Sequence, residues 1–201
     1  MPIGSRRKRA GGTKRTLVLE AVIIVLAERG YENTRFADVS TASGVAISTL
    51  QNYFGSREDM VIEAMQLSAD REVAVLETAA TTELDPWERL VAMIDRSMGL
   101  SDHDRQMLVE FWRSAMRDDE LREYSMEMQM RYRAPFLAAL REGSEQGAFR
   151  LTHEPDDVAD FVLSVLAGAI ISRALHHSTP SPAGFRGVLL SQLRLMLGLG
   201  G

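Results

Sequence analysis

Four uncharged hydrogen-bonding side chains crowd one short stretch: Ser48, Thr49, Gln51 and Asn52, followed by Tyr53, Phe54 and, one turn on, Arg57. Short hydroxyls and amides present donors and acceptors together, the set that pairs with base edges in a DNA groove. A tyrosine hydroxyl and an arginine beside the amide-rich start of a helix suit phosphate oxygens. Thr34, upstream, offers one more hydroxyl to the same surface. The competing reading is an ordinary helical corner with a polar face. Chemistry of other kinds finds no support. "GGTKRT" at 11–16 lacks the Gly-Lys-Ser/Thr order of a phosphate-binding loop, and no Gly-x-Ser-x-Gly elbow occurs. His176 and His177 are adjacent, so on a helix they point about 100° apart and rarely share one ion. No helix carries Glu-x-x-His, and there are no cysteines. No catalytic residue, metal or cofactor is expected, and the chain does not read as an enzyme.

Charge supports a polyanion partner for one part of the chain only. The net charge of −5 over 201 residues argues against nucleic acid on its own. Residues 1–56, however, hold eight Lys/Arg against four Asp/Glu, a balance of +4, and the remainder holds 15 against 24, a balance of −9. Arg6, Arg7, Lys8, Arg9, Lys14 and Arg15 fall in the first fifteen residues without an acid among them. "SRRKR" before "LVLEAVIIVLAERG" mimics an export signal, but Glu20 interrupts the apolar run and no small-residue cleavage site follows. That run and "FVLSVLAGAII" are too short to span a bilayer. The absence of cysteine fits a cytoplasmic location.

These residues need elements to hold them, and the punctuation predicts an all-α chain of about nine helices. The first spans Lys14–Arg29 and stops at Gly30; its "VIIVL" could pass for a strand, but the surrounding Ala, Leu and Glu favour helix. The second spans Thr34–Ser43, with Thr34 as N-cap and Gly44 as stop. The third is Ile47–Phe54. A fourth starts at "SRED", with Ser56 as cap. "DPWE" at 85–88 opens the fifth and "SDHD" at 101–104 the sixth. The acids 118–120 open the seventh, which runs to about Glu142 and which Pro135 is expected to kink. Pro155 opens the eighth and Pro182 the ninth, separated by "STPSPAG". No alternating strand pattern appears.

Helix, glycine turn and short helix make a helix-turn-helix. Val45 and Leu50 are placed to face a core with Ala37, Val39 and Ala42 behind them, leaving the polar set outward. The stretch "GYENTRFADVSTASGVAISTLQNYFGSREDM" resembles the DNA-binding segment of TetR-family transcriptional regulators. The matching positions are Gly30, Tyr31, Thr34, Val39, Ala42, Gly44, Val45, Leu50, Tyr53, Phe54, Arg57 and Met60. Two residues depart from that pattern: Ala46 replaces a helix-capping hydroxyl, and Gln51 replaces an aromatic. Beyond this stretch the chain matches only in helical layout.

The resemblance implies an N-terminal three-helix DNA-binding domain and a C-terminal bundle for ligand binding and dimerisation. The boundaries read as a basic disordered arm at 1–13, the DNA-binding domain at 14–56 and the bundle at 57–201. Glu110, Phe111, Trp112, Met116, Met128 and Tyr132 are the candidate ligand contacts. Plain core for the apolar ones, and an i,i+3 pair of Glu110 with Arg113, are the alternatives. The last two helices are apolar over more than one stripe, which a two-fold four-helix interface would bury through Phe161, Val165, Gly168, Ser172, Leu189, Leu193 and Met196. Packing of both faces within the chain is the alternative. The expected protein is a homodimeric repressor that leaves a palindromic operator when a small molecule binds. A ligand-independent DNA-binding protein with a solid core, and a helical enzyme, are the rival readings.

Overall fold

The computed structural model describes residues 12–80, 85–177 and 181–199. The expected arm at 1–13 lies almost wholly outside them, as does part of the break before the ninth helix. The described residues form nine α-helices, one single-turn 3-10 helix at Tyr31–Asn33, and no strand. The helices are α1 Thr13–Arg29, α2 Phe36–Ser43, α3 Ile47–Phe54, α4 Arg57–Ala80, α5 Pro86–Met98, α6 Asp102–Ala115, α7 Asp119–Glu145, α8 Pro155–Ala174 and α9 Pro182–Met196.

At α4, α5, α6 and α7 the predicted starts hold for a local reason: the cap residue takes an amide that the helix cannot satisfy itself. Ser56 Oγ accepts Asp59 N–H at 3.0 Å, Asp85 Oδ1 accepts Glu88 N–H at 3.0 Å, Ser101 Oγ accepts Asp104 N–H at 3.1 Å and Asp118 Oδ1 accepts Leu121 N–H at 3.0 Å. The exception is α2, which begins two residues after the expected Thr34. Its N-cap position is Arg35, whose N–H donates to Asp38 Oδ2 at 3.0 Å. Helix α7 passes through Pro135 without ending.

The chain divides into two compact units. One joins the residues up to Asp70 with Gln106–Tyr124; the other joins Arg71–Arg105 with the residues from Ser125 on. This grouping differs from a cut at 56/57 because of burial. Met60, Val61, Ile62 and Met65 of α4 and Met107 and Phe111 of α6 share the core of the first unit with Val22 and Leu26 of α1, Val39 of α2, and Leu50 and Phe54 of α3. The β-branched "VIIVL" run is helical because its side chains recur on a face that this core covers.

The second unit is built around Leu90, Ile94, Phe136, Leu140, Val162 and Leu193, all almost fully buried. Ion pairs tie its helices at the rim: Arg96 with Glu72 at 2.7 Å, Arg133 with Asp156 and Asp160 at 2.8 and 2.6 Å, and Arg186 with Asp95 at 2.5 Å. Within this unit, Gly143 lies in α7 so close to the buried Phe149 ring that a Cβ would overlap it. An alanine inside a helix ordinarily stabilises by up to about 1 kcal/mol over glycine. Here overpacking reverses the sign. Gly143→Ala is expected to lower stability by about 1–3 kcal/mol in urea denaturation; a raised midpoint would contradict this packing.

Candidate nucleic-acid interface

Helix α3 is fixed by one face. Leu50 is fully buried and Phe54 nearly so. Tyr53 meets Phe54 edge-on with centroids 6.2 Å apart, and the Arg15 guanidinium lies 4.9 Å over the Phe54 ring while pairing with Glu63. The turn into α3 depends on Gly44, which sits in the left-handed region at φ 67°, where a side chain would be strained. Its N–H closes on Ser40 O at 3.0 Å, and Ser43 Oγ accepts Val45 N–H at 3.3 Å. Ala46 occupies the N-cap of α3 and supplies no side-chain cap. This leaves a cost of about 1 kcal/mol relative to a capping hydroxyl.

The opposite face carries Ser48, Gln51 and Asn52, all exposed, with Thr49 half-buried beside them. Tyr53 is half-buried. Ile47, 42% exposed at the first turn, belongs to this face, and the sequence reading did not single it out. Ala37 and Ala42 are exposed rather than packed behind α3, because the buried position of α2 is Val39 alone.

One expected DNA contact, Thr34, is corrected, and a second, Arg57, is engaged inside the turn. Thr34 is completely buried, and its hydroxyl donates to Gly30 O at 2.9 Å. It therefore stitches the turn before α2 and cannot reach a ligand outside. Arg57 does not reach out as a free phosphate clamp. Its Nε donates to Thr34 O at 2.7 Å and its Nη2 to Tyr31 O, its Nη1 pairs with Glu58 at 3.0 Å, and its guanidinium stacks 5.0 Å over the Tyr31 ring. A short polar spacing pattern cannot distinguish a cation aimed at solvent from one that holds a turn.

The expected ligand contacts divide between the two units. Phe111 is buried in the first core and Trp112 packs against it, while Met116 is 71% exposed. Glu110 Oε1 accepts Tyr31 N–H at 2.7 Å, and Arg113 donates to both carboxylate oxygens at 2.9 and 2.6 Å. Burial raises the Glu110 pKa, but the bonds from Arg113 and the Tyr31 amide, with the charges of Arg113 and Arg117, outweigh it and hold the carboxyl below its ordinary value. In the second unit Met128 is buried, and Tyr132 donates to Ser97 Oγ at 2.6 Å, since that hydroxyl spends its own proton on Met93 O. Burial, first, pushes the Tyr132 phenol up. A cavity of about 350 Å³ in this unit lies among α5, α8 and α9, bordered by Met98, Val165, Gly168, Ser172, Arg173 and Phe185.

Of the expected dimer residues, Leu189 and Leu193 are corrected: both are buried in the core of their own unit and have no surface to offer. Phe161 and Gly168 are exposed, and Val165, Ser172 and Met196 are half-buried. Ile171, Val188 and Leu195 are exposed beside them on the same two helices.

Two family models cover most of the chain. Residues 18–64 match the bacterial regulatory proteins of the tetR family, and residues 86–198 match the C-terminal domain of BetI-type transcriptional repressors. The transcriptional repressor KstR2 of Mycobacterium tuberculosis is 26% identical over 152 residues, 75% of this chain and 76% of that one. The uncharacterised regulator YfiR of Bacillus subtilis is 27% identical over 163 residues, 79% and 78% of the two chains. A transcriptional regulator from Saccharomonospora viridis, solved in complex with choline, shares the fold with a TM-score of 0.79 at 24% identity, over 92% of this chain and 97% of that one. FadR of Bacillus subtilis, solved with stearoyl-CoA, shares it with a TM-score of 0.71 at 18% identity, over 89% and 96%.

The Arg57 contacts carry a prediction of their own. Lysine keeps the charge but loses the planar fork that reaches two carbonyls. Arg57→Lys is expected to cost about 1–3 kcal/mol of stability in denaturant titration and to weaken DNA binding despite the retained charge. Unchanged values of both would reduce Arg57 to a point charge.

Proposed function

The chain belongs to the TetR family of bacterial transcriptional regulators, and on that premise we propose a cytoplasmic homodimeric repressor released from a two-fold-symmetric operator by a small molecule. The observation that carries the DNA-reading part is the two-faced α3. Leu50 and Phe54 anchor the helix, so Ser48, Gln51 and Asn52 are presented from a rigid support. No Lys or Arg occurs in α3, so base-edge hydrogen bonding rather than charge is its contribution. Gln51 is suited to the N6 and N7 edge of adenine.

Support for the dimer comes from α8 and α9. Phe161, Val188 and Leu195 are 44%, 64% and 55% exposed, and a Cβ on Gly168 or Gly187 would meet nothing within 4 Å. A contiguous apolar stripe with open glycines suits close helix–helix approach. Phe161, Val165, Gly168, Ser172 and Met196 are its proposed members. For the effector, the 350 Å³ cavity falls within the range of small-molecule sites, about 300–1,000 Å³. It shares Val165, Gly168 and Ser172 with the proposed dimer face, so ligand and partner would bear on each other. Such a ligand changes DNA affinity only by its differential binding to the two states.

Sequence selection of bound DNA tests the reading. The expected product is an inverted repeat whose half-site centres lie about one helical turn or a multiple apart, with Gln51→Ala relaxing the preference at one position at a cost of about 1–3 kcal/mol. DNA binding without sequence preference would sink it. Leu195→Glu is expected to give a folded monomer in sedimentation that no longer binds the full repeat; an unchanged dimer would remove α9 from the interface.

A further inference from the structure

A turn leaving a helix must find partners for its backbone polar groups, and those partners set the direction in which the chain departs. After α1 the chain reverses at Gly30, whose φ of 76° and ψ of 169° suit glycine alone. Four bonds then hold the path to α2. The Thr34 hydroxyl donates to Gly30 O at 2.9 Å. Arg57 Nε donates to Thr34 O at 2.7 Å, and its Nη2 takes Tyr31 O. These three come from the DNA-binding segment and the start of α4. The fourth comes from α6, where Glu110 Oε1 accepts the Tyr31 N–H at 2.7 Å across 79 residues of sequence.

Glu110 is not a loose surface acid. Its side chain is 15% exposed, and the two bonds from Arg113 fix both oxygens. A planar guanidinium gripping a carboxylate sets its orientation as well as its place. We propose that Glu110 is a positioning residue for DNA recognition: by holding the Tyr31 amide it sets the turn from which α2 departs and thereby the presentation of α3. The inference rests on the DNA-binding reading and adds a residue that positions it. Helix α6 is one unbroken helix whose residues up to Arg105 group with the second unit and whose residues from Gln106 group with the first. Loss of the Glu110–Tyr31 bond acts on the turn that precedes α2. Apparent affinity then falls with the fraction of molecules that keep the turn.

The test uses the full-length protein and the DNA obtained by selection. In the wild type, the Tyr31 amide is expected to be protected from hydrogen exchange, followed by NMR; an amide exchanging at the rate of an open turn overturns the proposal before any variant is made. Glu110→Ala removes the acceptor. It should speed exchange at Tyr31 and weaken DNA binding in anisotropy titrations by about tenfold, the weight of one bond to a charged acceptor. Glu110→Gln keeps a carbonyl for the amide and should restore most of the affinity. Gly143→Ala lies in the other unit and does not touch the turn, so it should lose comparable thermal stability while binding DNA within about threefold of wild type. Equal DNA loss in Glu110→Ala and Gly143→Ala would make the effect one of general stability and overturn the proposal. Wild-type protein without sequence preference would instead remove the DNA-binding reading on which it rests.

Discussion

The backbone of residues 30–34 places the most demanding constraint on the DNA-binding unit. The Tyr31 amide and the Tyr31 and Thr34 carbonyls are bonded by side chains rather than by a helix ladder, and a buried polar group without a partner costs far more than a made bond returns. Three side chains meet that demand: Thr34, Arg57 and Glu110. All three act on the turn that precedes α2. The direction of α2 depends on this turn, α3 depends on α2 through the Gly44 turn, and the exposed polar face depends on α3.

That hierarchy also sorts the cations of the first unit. Arg15 is held by Glu63, Arg29 by Asp38, and Arg57 by two carbonyls and Glu58. They stabilise the scaffold rather than advertise positive charge. Arg35 at the start of α2 and Lys14 at the start of α1 are exposed by contrast.

The second unit solves a different problem. Helices α8 and α9 carry more apolar surface than one contact can cover. Val158, Val162, Leu166, Leu189 and Leu193 are spent on the unit's own core. Phe161, Ile171, Val188 and Leu195 remain outside. A stripe of this width with small residues in it is what a second copy would need. The acidic excess of this part is largely engaged at helix starts and in ion pairs such as Arg133 with Asp156 and Asp160, so it orders the rim instead of repelling a partner.

Helix number, most boundaries and the helix-turn-helix were legible in the residues alone, because caps, prolines and glycines act within four residues of themselves. Ser56, Asp85, Ser101 and Asp118 needed only their own first turns to be recognised. So was the two-faced character of α3, since an eight-residue helix exposes its period directly. Roles set by distant partners were not legible. Thr34 and Arg57 have the residue types of DNA contacts, but burial of Thr34 and the carbonyls that engage Arg57 depend on the folded turn. Leu189 and Leu193 look the same in the chain as Val188 and Leu195; only the packing of α9 decides which of them point inward. Glu110 was visible as a pair with Arg113, but nothing local announces that its second task is an amide 79 residues earlier. Local chemistry thus sets which elements form, whereas the spending of each polar group and apolar face is settled by neighbours far away in the chain.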